Sequence, residues 1–579
     1  MPADLEHFSA VDDMTDHQNP SPEASTSATG RILRFGLVLL VYIALTVFVF
    51  RSFIPHVGSA LIGPPEDNLQ DFWNTWYAAT QVKAWHNLSY TNLIRYPEGT
   101  TLYYHSFSYP KLAVAAIFGA VCQARMAALI GLENLLLLVS LPISALGGFY
   151  LVRHFTRDTA GALTGGAVFA FNPSHIAQLA HHLHVSSIEF LPFFAWFFIL
   201  AVERRSRSYA ALSTLCFALC ALSCWYYLFY CAYFMAFLYA VMAIKRKRFF
   251  NAWPMIVILG NIVGVLALLS PLLAPMIAQA ASGANVYMEG ADRYVADLAG
   301  YVAFPPVHLL SGLSENIYSR LTGNAWEATV YLGLVNLALL GWLILRRRHL
   351  DRGLIALVLS GMGVFAVIAS GNHLHVFGRP VIPLPDLLLN YLPFFRNVRT
   401  PARAIVMVYL FLSIVIGYAI SILWRERGAA WTGRGTVAAL VVLMAFDWYP
   451  VGMPSTPVAC MPAYALVAQD PDRQAAVLDL PGGYVEGNAY MAYQACHLHP
   501  IVAGNVARPV GKTLLDRLET RDLNQQRRQL TENKVKYIVI HRPDGNLFRW
   551  SSEDGEAPQY ERTYPVLYSD KDAVVLGVY

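Results

Sequence analysis

The sequence predicts an α-helical polytopic membrane protein of about eleven transmembrane helices with a small C-terminal α/β extracytoplasmic domain. Three observations predict this class. Apolar runs of bilayer-spanning length recur through residues 31–450, the basic residues between them fall on one side, and the composition changes near residue 451. Of 579 residues, 56% are hydrophobic and 14% charged. Soluble proteins carry about 25% charged residues, so most of this chain lives in lipid. The formal net charge is only +4, and no basic aromatic patch lies outside the short inter-helix loops, which excludes a nucleic-acid partner.

Residues 1–30 are polar and Ser/Pro-containing and read as a disordered cytoplasmic tail. They lack the charged start and small-residue cleavage site of a removed signal, so the first apolar run reads as a retained anchor. Runs of about 20 residues suit one crossing. Spans are expected near 34–54, 133–152, 159–173, 187–203, 208–225, 226–244, 252–280, 328–345, 353–370, 404–424 and 435–450, with a break at 225–226 inside the apolar stretch 208–244. The run 111–124 is too short to cross and reads as re-entrant or interfacial.

Lys and Arg favour the cytoplasmic side of a membrane. With the N-terminus inside, the inner loops hold Arg153 and Arg157, then Arg204, Arg205 and Arg207, then Lys245 to Arg248, then Arg346 to Arg348 and Arg352, then Arg425, Arg427 and Arg434. The outer side receives the large first loop 55–132, then 174–186, 281–327, 371–403 and all of 451–579. These segments are long and rich in acids, His, Tyr and Pro, whereas the inner ones are short basic turns. Chemistry is therefore expected outside. In 451–579, KVKYIVIHR (534–542) and AVVLGVY (573–579) read as strands, and 508–530 as a helical region. Cys216, Cys220 and Cys224 repeat every four residues and read as small packing groups. Cys460 and Cys496 could pair in an oxidising compartment.

Four outer segments carry candidate chemistry. EDNLQDFWNTWY (66–77) sets Glu66, Asp67 and Asp71 beside Trp73, Trp76 and Tyr77. On a helix, Asp67, Gln70, Asp71 and Asn74 share one face, and Leu69, Phe72, Trp73 and Trp76 the opposite one. Carboxylates near a membrane need partners or a task; an aromatic belt with solvated acids is the plainer reading. NPSHIAQLAHHLHVSSIEF (172–190) places His175, His181, His182, His184 and Glu189 together, suited to a divalent ion or a phosphate or to a water-exposed interfacial turn. FFRNVRTPARAIV (394–406) spaces Arg396, Arg399 and Arg403 before a span. Arginine forks bind phosphate bidentately, while pairing with headgroups or outer acids is the structural alternative. RYPEGTTLYYHSFSYP (95–110) brings Tyr104 and His105 after a Pro-Gly turn. The segment 287–305 adds Glu289 and Asp292, which could hold an acceptor.

The chain contains no GxxxxGK[ST], GxGxxG, GxSxG or HExxH motif. The inner loops are too short to build a nucleotide site, so any group donor must reach the protein from the outer side or the bilayer. Polyprenyl-phosphate-linked sugars meet that requirement.

The acidic-aromatic first outer loop, YPEGTTLYYH, AFNPSHIAQLAHHLH with SSIEFLPF, and the late LPFFRNVRTPAR, in that order, resemble uncharacterised bacterial membrane proteins of the GT-C glycosyltransferase superfamily. The likeness covers roughly residues 34–450, with a weaker echo at VLDLPGGY (477–484). It implies a catalytic Asp or Glu in the first outer loop, best matched by Asp67 with Glu66 and Asp71 as rivals. Arg399 and Arg403 match its late basic element; with Arg396 they are the expected holders of a donor phosphate, and the outer segments above supply the expected cavity residues Trp73, Tyr104, His105, His181, His182, His184, Glu189, Glu289 and Asp292. The implied partners are a polyprenyl-phosphate sugar, a glycan, lipid or protein acceptor, and membrane lipids. A divalent metal ion is the one candidate cofactor. The implied location is the bacterial cytoplasmic (inner) membrane. Two further readings stand beside it: a transporter or flippase of lipid-linked glycans, favoured by mid-span charges and inverted repeats, and a non-enzymatic cell-envelope assembly protein, which predicts no cavity joining Asp67 to Arg399.

Overall fold

The computed structural model describes residues 28–81, 89–247, 250–282, 291–346, 350–389, 391, 398–427, 431–508, 511–542 and 557–579. Each of the expected apolar runs coincides with a helix. In chain order the first ten helices are α1 (Ala28–Val49), α2 (Asp67–Gln81), α3 (Tyr109–Val121), α4 (Met126–Thr156), α5 (Thr159–Ala170), α6 (Pro173–Leu179), α7 (Phe190–Glu203), α8 (Arg207–Ser223), α9 (Trp225–Arg246) and α10 (Ala252–Ala281). They are followed by α11 (Glu315–Tyr318), α12 (Leu334–Arg346), α13 (Arg352–Ala369), α14 (Asp386–Leu389), α15 (Ile405–Arg427) and α16 (Trp431–Trp448). By length and composition six of the described helices suit a crossing: α1, α4, α9, α10, α13, and the segment Pro401–Glu426 that contains α15. The apolar helices α3, α5, α7, α8 and α12 are shorter, at 10–17 residues. The expected break between the fifth and sixth runs falls at Cys224, whose extended backbone separates α8 from α9.

Small residues let the helices approach closely, the usual basis of packing in lipid. A Cβ on Gly161 of α5 would lie 2.3 Å from the carbonyl oxygen of Gly417 on α15. The segment containing α15 is the most buried of the six, so it forms the axis around which α4, α5 and α13 pack. The short helix α3 lies against α2, where a Cβ on Gly119 would meet the carbonyl of Ala79 at 1.9 Å.

Residues beyond 455 build a second layer. Strands β7 (Ala476–Leu480), β8 (Val535–His541), β9 (Val566–Ser569) and β10 (Ala573–Gly577) form one sheet in the order β7-β8-β10-β9. β7 and β8 run parallel and the other pairs antiparallel. The remaining strands form three two-stranded ribbons: β1 (Ala60–Ile62) with β6 (Ser455–Pro457), β2 (Tyr90–Thr91) with β3 (Thr100–Thr101), and β4 (His373–Val376) with β5 (Arg379–Pro383). The helices of this region are α17 (Pro462–Ala468), α18 (Tyr484–His497), α19 (Leu514–Arg517), α20 (Leu523–Glu532) and α21 (Ala557–Thr563). The helical region expected at 508–530 is thus two short helices separated by an extended Leu518, its first turn set by a capping box between Thr513 and Asp516. Cys460 and Cys496 form a disulfide with Cα atoms 5.6 Å apart.

One apolar core joins this layer to the first outer loop. Leu69, Phe72, Trp73 and Trp76 of α2 pack with Tyr464, Tyr490, Tyr493, Ile501 and Val539. The tryptophan face of α2 therefore looks into protein rather than lipid. Trp73 is fully buried, stacks on Tyr77 at 4.8 Å and donates its ring N–H to Gln494 Oε1 at 2.7 Å.

Candidate functional site

Asp67 opens α2. Its carboxylate accepts from the Tyr484 hydroxyl at 2.8 Å and faces His182 Nε2 at 3.0 Å. Burial pushes this carboxyl up, but the hydrogen bond and charge of His182, with the Tyr484 hydroxyl, outweigh it and hold it well below the usual carboxylate range. His182 sits just beyond α6, whose start is fixed by Asn172 capping the His175 amide at 2.8 Å. Its Nδ1 faces Gln178 Oε1 at 2.9 Å and Glu327 Oε1 at 3.9 Å. Glu327 is buried and receives Gln178 Nε2 at 3.0 Å and Arg403 Nε at 3.0 Å, with a second Arg403 nitrogen completing the fork. A continuous chain thus runs Tyr484, Asp67, His182, Glu327, Arg403.

This chain borders a cavity of about 730 Å³. Its polar end holds Asp67, His182, His184, Arg399, Arg403 and Arg508. Its other flank is apolar: Leu228 and Phe229 of α9, and Leu266, Leu273, Met276 and Ile277 of α10. Leu266 and Ile277 also face outward, about half exposed, so the flank communicates with the surface that the spans present to lipid.

The structure separates the three acids of the first loop. Asp67 lines the cavity. Glu66 is exposed and pairs with His181 Nδ1 at 3.2 Å. Asp71 is buried behind the cavity, accepting the Leu183 amide at 2.7 Å and Asn74 Nδ2 at 3.3 Å. Burial, then the nearby Glu133 charge, pushes Asp71 well above the carboxylate range. Its role is to fix the turn that carries His182 and His184.

Several expected cavity residues stand elsewhere. Trp73 is in the core beneath α2. His181 lies tilted against Trp326 with ring centroids 4.3 Å apart, outside the cavity lining. Glu189 forms a buried pair with Lys111 at 3.5 Å. Asp292 lies at the surface against His373 Nδ1 at 3.2 Å. Arg396 and Glu289 lie outside the described residues. Tyr104, His105, His182, His184, Arg399 and Arg403 do line the cavity. Burial lowers the His105 pKa to about 4 and holds His184 well below its ordinary value, with Arg403 adding to the second. Both rings are therefore neutral near pH 7. Among the described residues no group of three or more His, Cys, Asp or Glu is arranged to hold a metal ion: the Asp67 carboxylate is bound to His182 and that of Glu327 to Arg403.

Sequence reasoning missed Glu327, Tyr484 and Arg508. Glu327 had a signal, being an acid in the apolar-aromatic stretch before α12, where an ionisable group marks function by default. Tyr484 ends the VLDLPGGY segment, but nothing in sequence joined it to Asp67, and Arg508 had no signal, because both reach the site across the whole fold.

Residues 36–449 match a family model described as a domain of unknown function (DUF6311). No curated protein matches the sequence. Among solved structures, a mutant form of the arabinofuranosyltransferase AftD from Mycobacteria superposes with a TM-score of 0.54 at 12% identity, over 93% of this chain and 41% of that one. The oligosaccharyltransferase AglB from Archaeoglobus fulgidus, in complex with an inhibitory peptide and a dolichol-phosphate, gives 0.48 at 12% identity over 88% and 70%. The likeness to the first shows a shared fold, and the chain spans less than half the length of that enzyme.

Proposed function

The chain belongs to the DUF6311 family, and we propose that it is an inverting glycosyltransferase that moves a sugar from a polyprenyl-phosphate donor to an acceptor hydroxyl on the outer face of the cytoplasmic membrane. One observation carries the reading: a single cavity joins an ionised carboxylate and a group of arginines to an apolar flank open toward lipid. That is the shape of an amphiphile with an anionic head. A glycan assembly scaffold needs no such cavity, and a flippase needs a path across the bilayer rather than a site at one end.

The reaction is a single displacement. The acceptor oxygen attacks the anomeric carbon, its proton passes to Asp67, and the bond from that carbon to the phosphate oxygen breaks with its electron pair on phosphate. Asp67 is the proton acceptor because both nitrogens of His182 already face acceptors, Asp67 on one side and Gln178 and Glu327 on the other. A general base of this kind contributes about 10²- to 10⁴-fold. The departing phosphate gains a charge, and Arg399 and Arg403 stand where that charge develops. Glu327 orients Arg403 and keeps its buried charge paired.

The test is transfer by the purified chain in lipid nanodiscs from a panel of polyprenyl-phosphate sugars to membrane glycolipid and glycan acceptors, with the anomeric configuration of the product read by NMR. Transfer with inversion is expected. Retention of configuration, or no transfer from any donor while labelled lipid crosses the bilayer, would overturn the reading.

A further inference from the structure

The described lining of the cavity includes His105, His182 and His184. The first two have both ring nitrogens engaged. His182 faces Asp67 through Nε2 at 3.0 Å and Gln178 through Nδ1 at 2.9 Å. His105 meets Asn74 Oδ1 through Nε2 at 2.9 Å and accepts the Ala507 amide on Nδ1 at 3.4 Å. The segment carrying Ala507 is tied to the first outer loop: the Arg95 and Tyr96 amides donate to the Ala503 and Ile501 carbonyls at 2.9 and 3.1 Å.

His184 differs. Its Nδ1 is buried and has no hydrogen-bond partner. The ring is placed by packing, edge to face against His182 with centroids 5.7 Å apart. The turn that carries it is fixed by its neighbours: the Leu183 amide donates to Asp71 at 2.7 Å, and the Ser187 hydroxyl donates to the Leu183 carbonyl at 2.6 Å. Buried polar groups are rarely left unpaired, and one that is costs stability. A rigidly held ring of this kind on a cavity wall points to a task in the cavity.

The chemistry of the ring narrows that task. Burial, then the charge of Arg403, keeps it neutral, so it supplies neither a charge for an anion nor a base. Among the described residues no group of three or more His, Cys, Asp or Glu surrounds it to hold a metal ion. With Nδ1 buried, Nε2 is the nitrogen left to meet what the cavity holds. A neutral imidazole nitrogen is a donor or an acceptor according to its tautomer, and a hydroxyl group satisfies either. His184 feels the charge of Arg403 and also that of Asp67, which places it between the arginine end of the cavity and the carboxylate.

We propose that His184 reads the transferred sugar, its Nε2 hydrogen-bonding a hydroxyl beside the anomeric carbon. This rests on the donor reading above and adds to it the residue that selects which sugar is moved. Hydrogen bonds to a hydroxyl next to the reacting carbon strengthen as positive charge builds on the sugar ring, so the contact favours transfer as well as binding.

The experiment measures binding to the full chain in phosphatidylcholine nanodiscs. The probes are a short-chain polyprenol, its phosphate, and the same phosphate carrying glucose, mannose, galactose or arabinose, followed by the monodeoxy forms of whichever sugar the wild type binds most tightly. The variants are His184→Phe, which keeps the bulk of the ring and removes both nitrogens, and His184→Gln, which keeps a polar group in its place. The wild type is expected to bind one sugar-bearing form about tenfold more tightly than bare polyprenyl phosphate, and to lose about tenfold with one deoxy form. His184→Phe is expected to abolish both preferences, to leave affinity for bare polyprenyl phosphate unchanged, and to keep or raise the thermal midpoint, because a buried unpaired nitrogen is gone. His184→Gln should fall between. Equal weakening of the bare and sugar-bearing phosphates in His184→Phe would make the ring a phosphate contact and overturn the proposal with the donor reading intact. Retained preferences with a lowered midpoint would leave it a structural ring only. Tightening by manganese in the wild type but not in His184→Phe would make it a metal ligand, which also overturns the proposal. A wild-type protein that binds polyprenol as tightly as its phosphate would sink the donor reading itself. Should His184→Phe fail to fold, the deoxy series on the wild type decides: no single deoxy form binding more weakly refutes the contact.

Discussion

Asp67 with His182 and Asp292 with His373 are the same pair of side chains at nearly the same distance, 3.0 and 3.2 Å. Both belong to acidic, tyrosine-bearing segments that the charge pattern puts on one side of the membrane. Their surroundings differ. The Asp67 and His182 side chains are 25% and 14% exposed, border the large cavity and continue into the buried Glu327–Arg403 pair; those of Asp292 and His373 are 41% and 34% exposed at the start of a surface hairpin. Residue type and spacing describe both pairs equally well. What separates them is enclosure, because charge interactions strengthen as water is excluded, and continuity with other charged groups.

The comparison breaks most sharply by mutation. Asp67→Asn is expected to lower transfer from a polyprenyl-phosphate donor by about 10²- to 10⁴-fold, and Asp292→Asn to leave it within twofold, measured as initial rates in nanodiscs at matched protein. A comparable loss in both would mean that enclosure is not what makes the pair functional.

The next effect is on stability. Glu327→Gln leaves the buried Arg403 charge without its carboxylate and is expected to cost about 3–5 kcal/mol. The exposed pair Arg346–Glu426, with both side chains 46% exposed, is the control: Glu426→Gln should cost no more than about 1 kcal/mol. Thermal unfolding in detergent reads both.

A smaller effect follows from His105, buried against Asn74 Oδ1 at 2.9 Å with its pKa lowered to about 4. The unfolded chain binds a proton there near pH 6.5, the folded chain only near 4. Stability is therefore full above pH 6.5 and is lost as pH falls, by roughly 2 kcal/mol between pH 7 and 5. His105→Gln should flatten that part of the pH dependence of the thermal midpoint.

The smallest effect concerns Tyr484. Tyr484→Phe removes one hydrogen bond from the ionised Asp67, so the carboxyl pKa rises. Activity needs the ionised form and is lost as pH falls through that pKa, so the acid limb of kcat/KM should move to higher pH, with a rate loss of about tenfold or less at neutrality. An unmoved limb would separate Tyr484 from the charge on Asp67.

The apolar runs were legible because lipid demands them, but the break inside 208–244 was not: it was expected at 225–226 and falls at Cys224, where only the backbone turns extended. The acid end of α2 and the turn carrying His182 and His184 were legible because ionisable groups beside spans are expensive. The partition among Glu66, Asp67 and Asp71 was not legible: one helical turn puts the first at the surface, the second on the cavity and the third behind it, and only the loop at Leu183 that packs on α2 decides which is which. Trp73 misled for the same reason, since an aromatic face is the same in sequence whether it meets sugar, lipid or the core beside Tyr490. The contributions of Tyr484 and Arg508 were invisible because they come from segments more than 400 residues away from Asp67, joined to the first loop by backbone hydrogen bonds that no composition signals.

The most direct measurement is a structure of the full chain with a non-hydrolysable polyprenyl-phosphonate sugar bound. The account predicts the phosphonate beside Arg399 and Arg403, the prenyl chain along α10 at Leu266 and Leu273, and the anomeric carbon facing Asp67. Density for the phosphonate at Asp292 and His373, or a sugar turned away from Asp67, would contradict it.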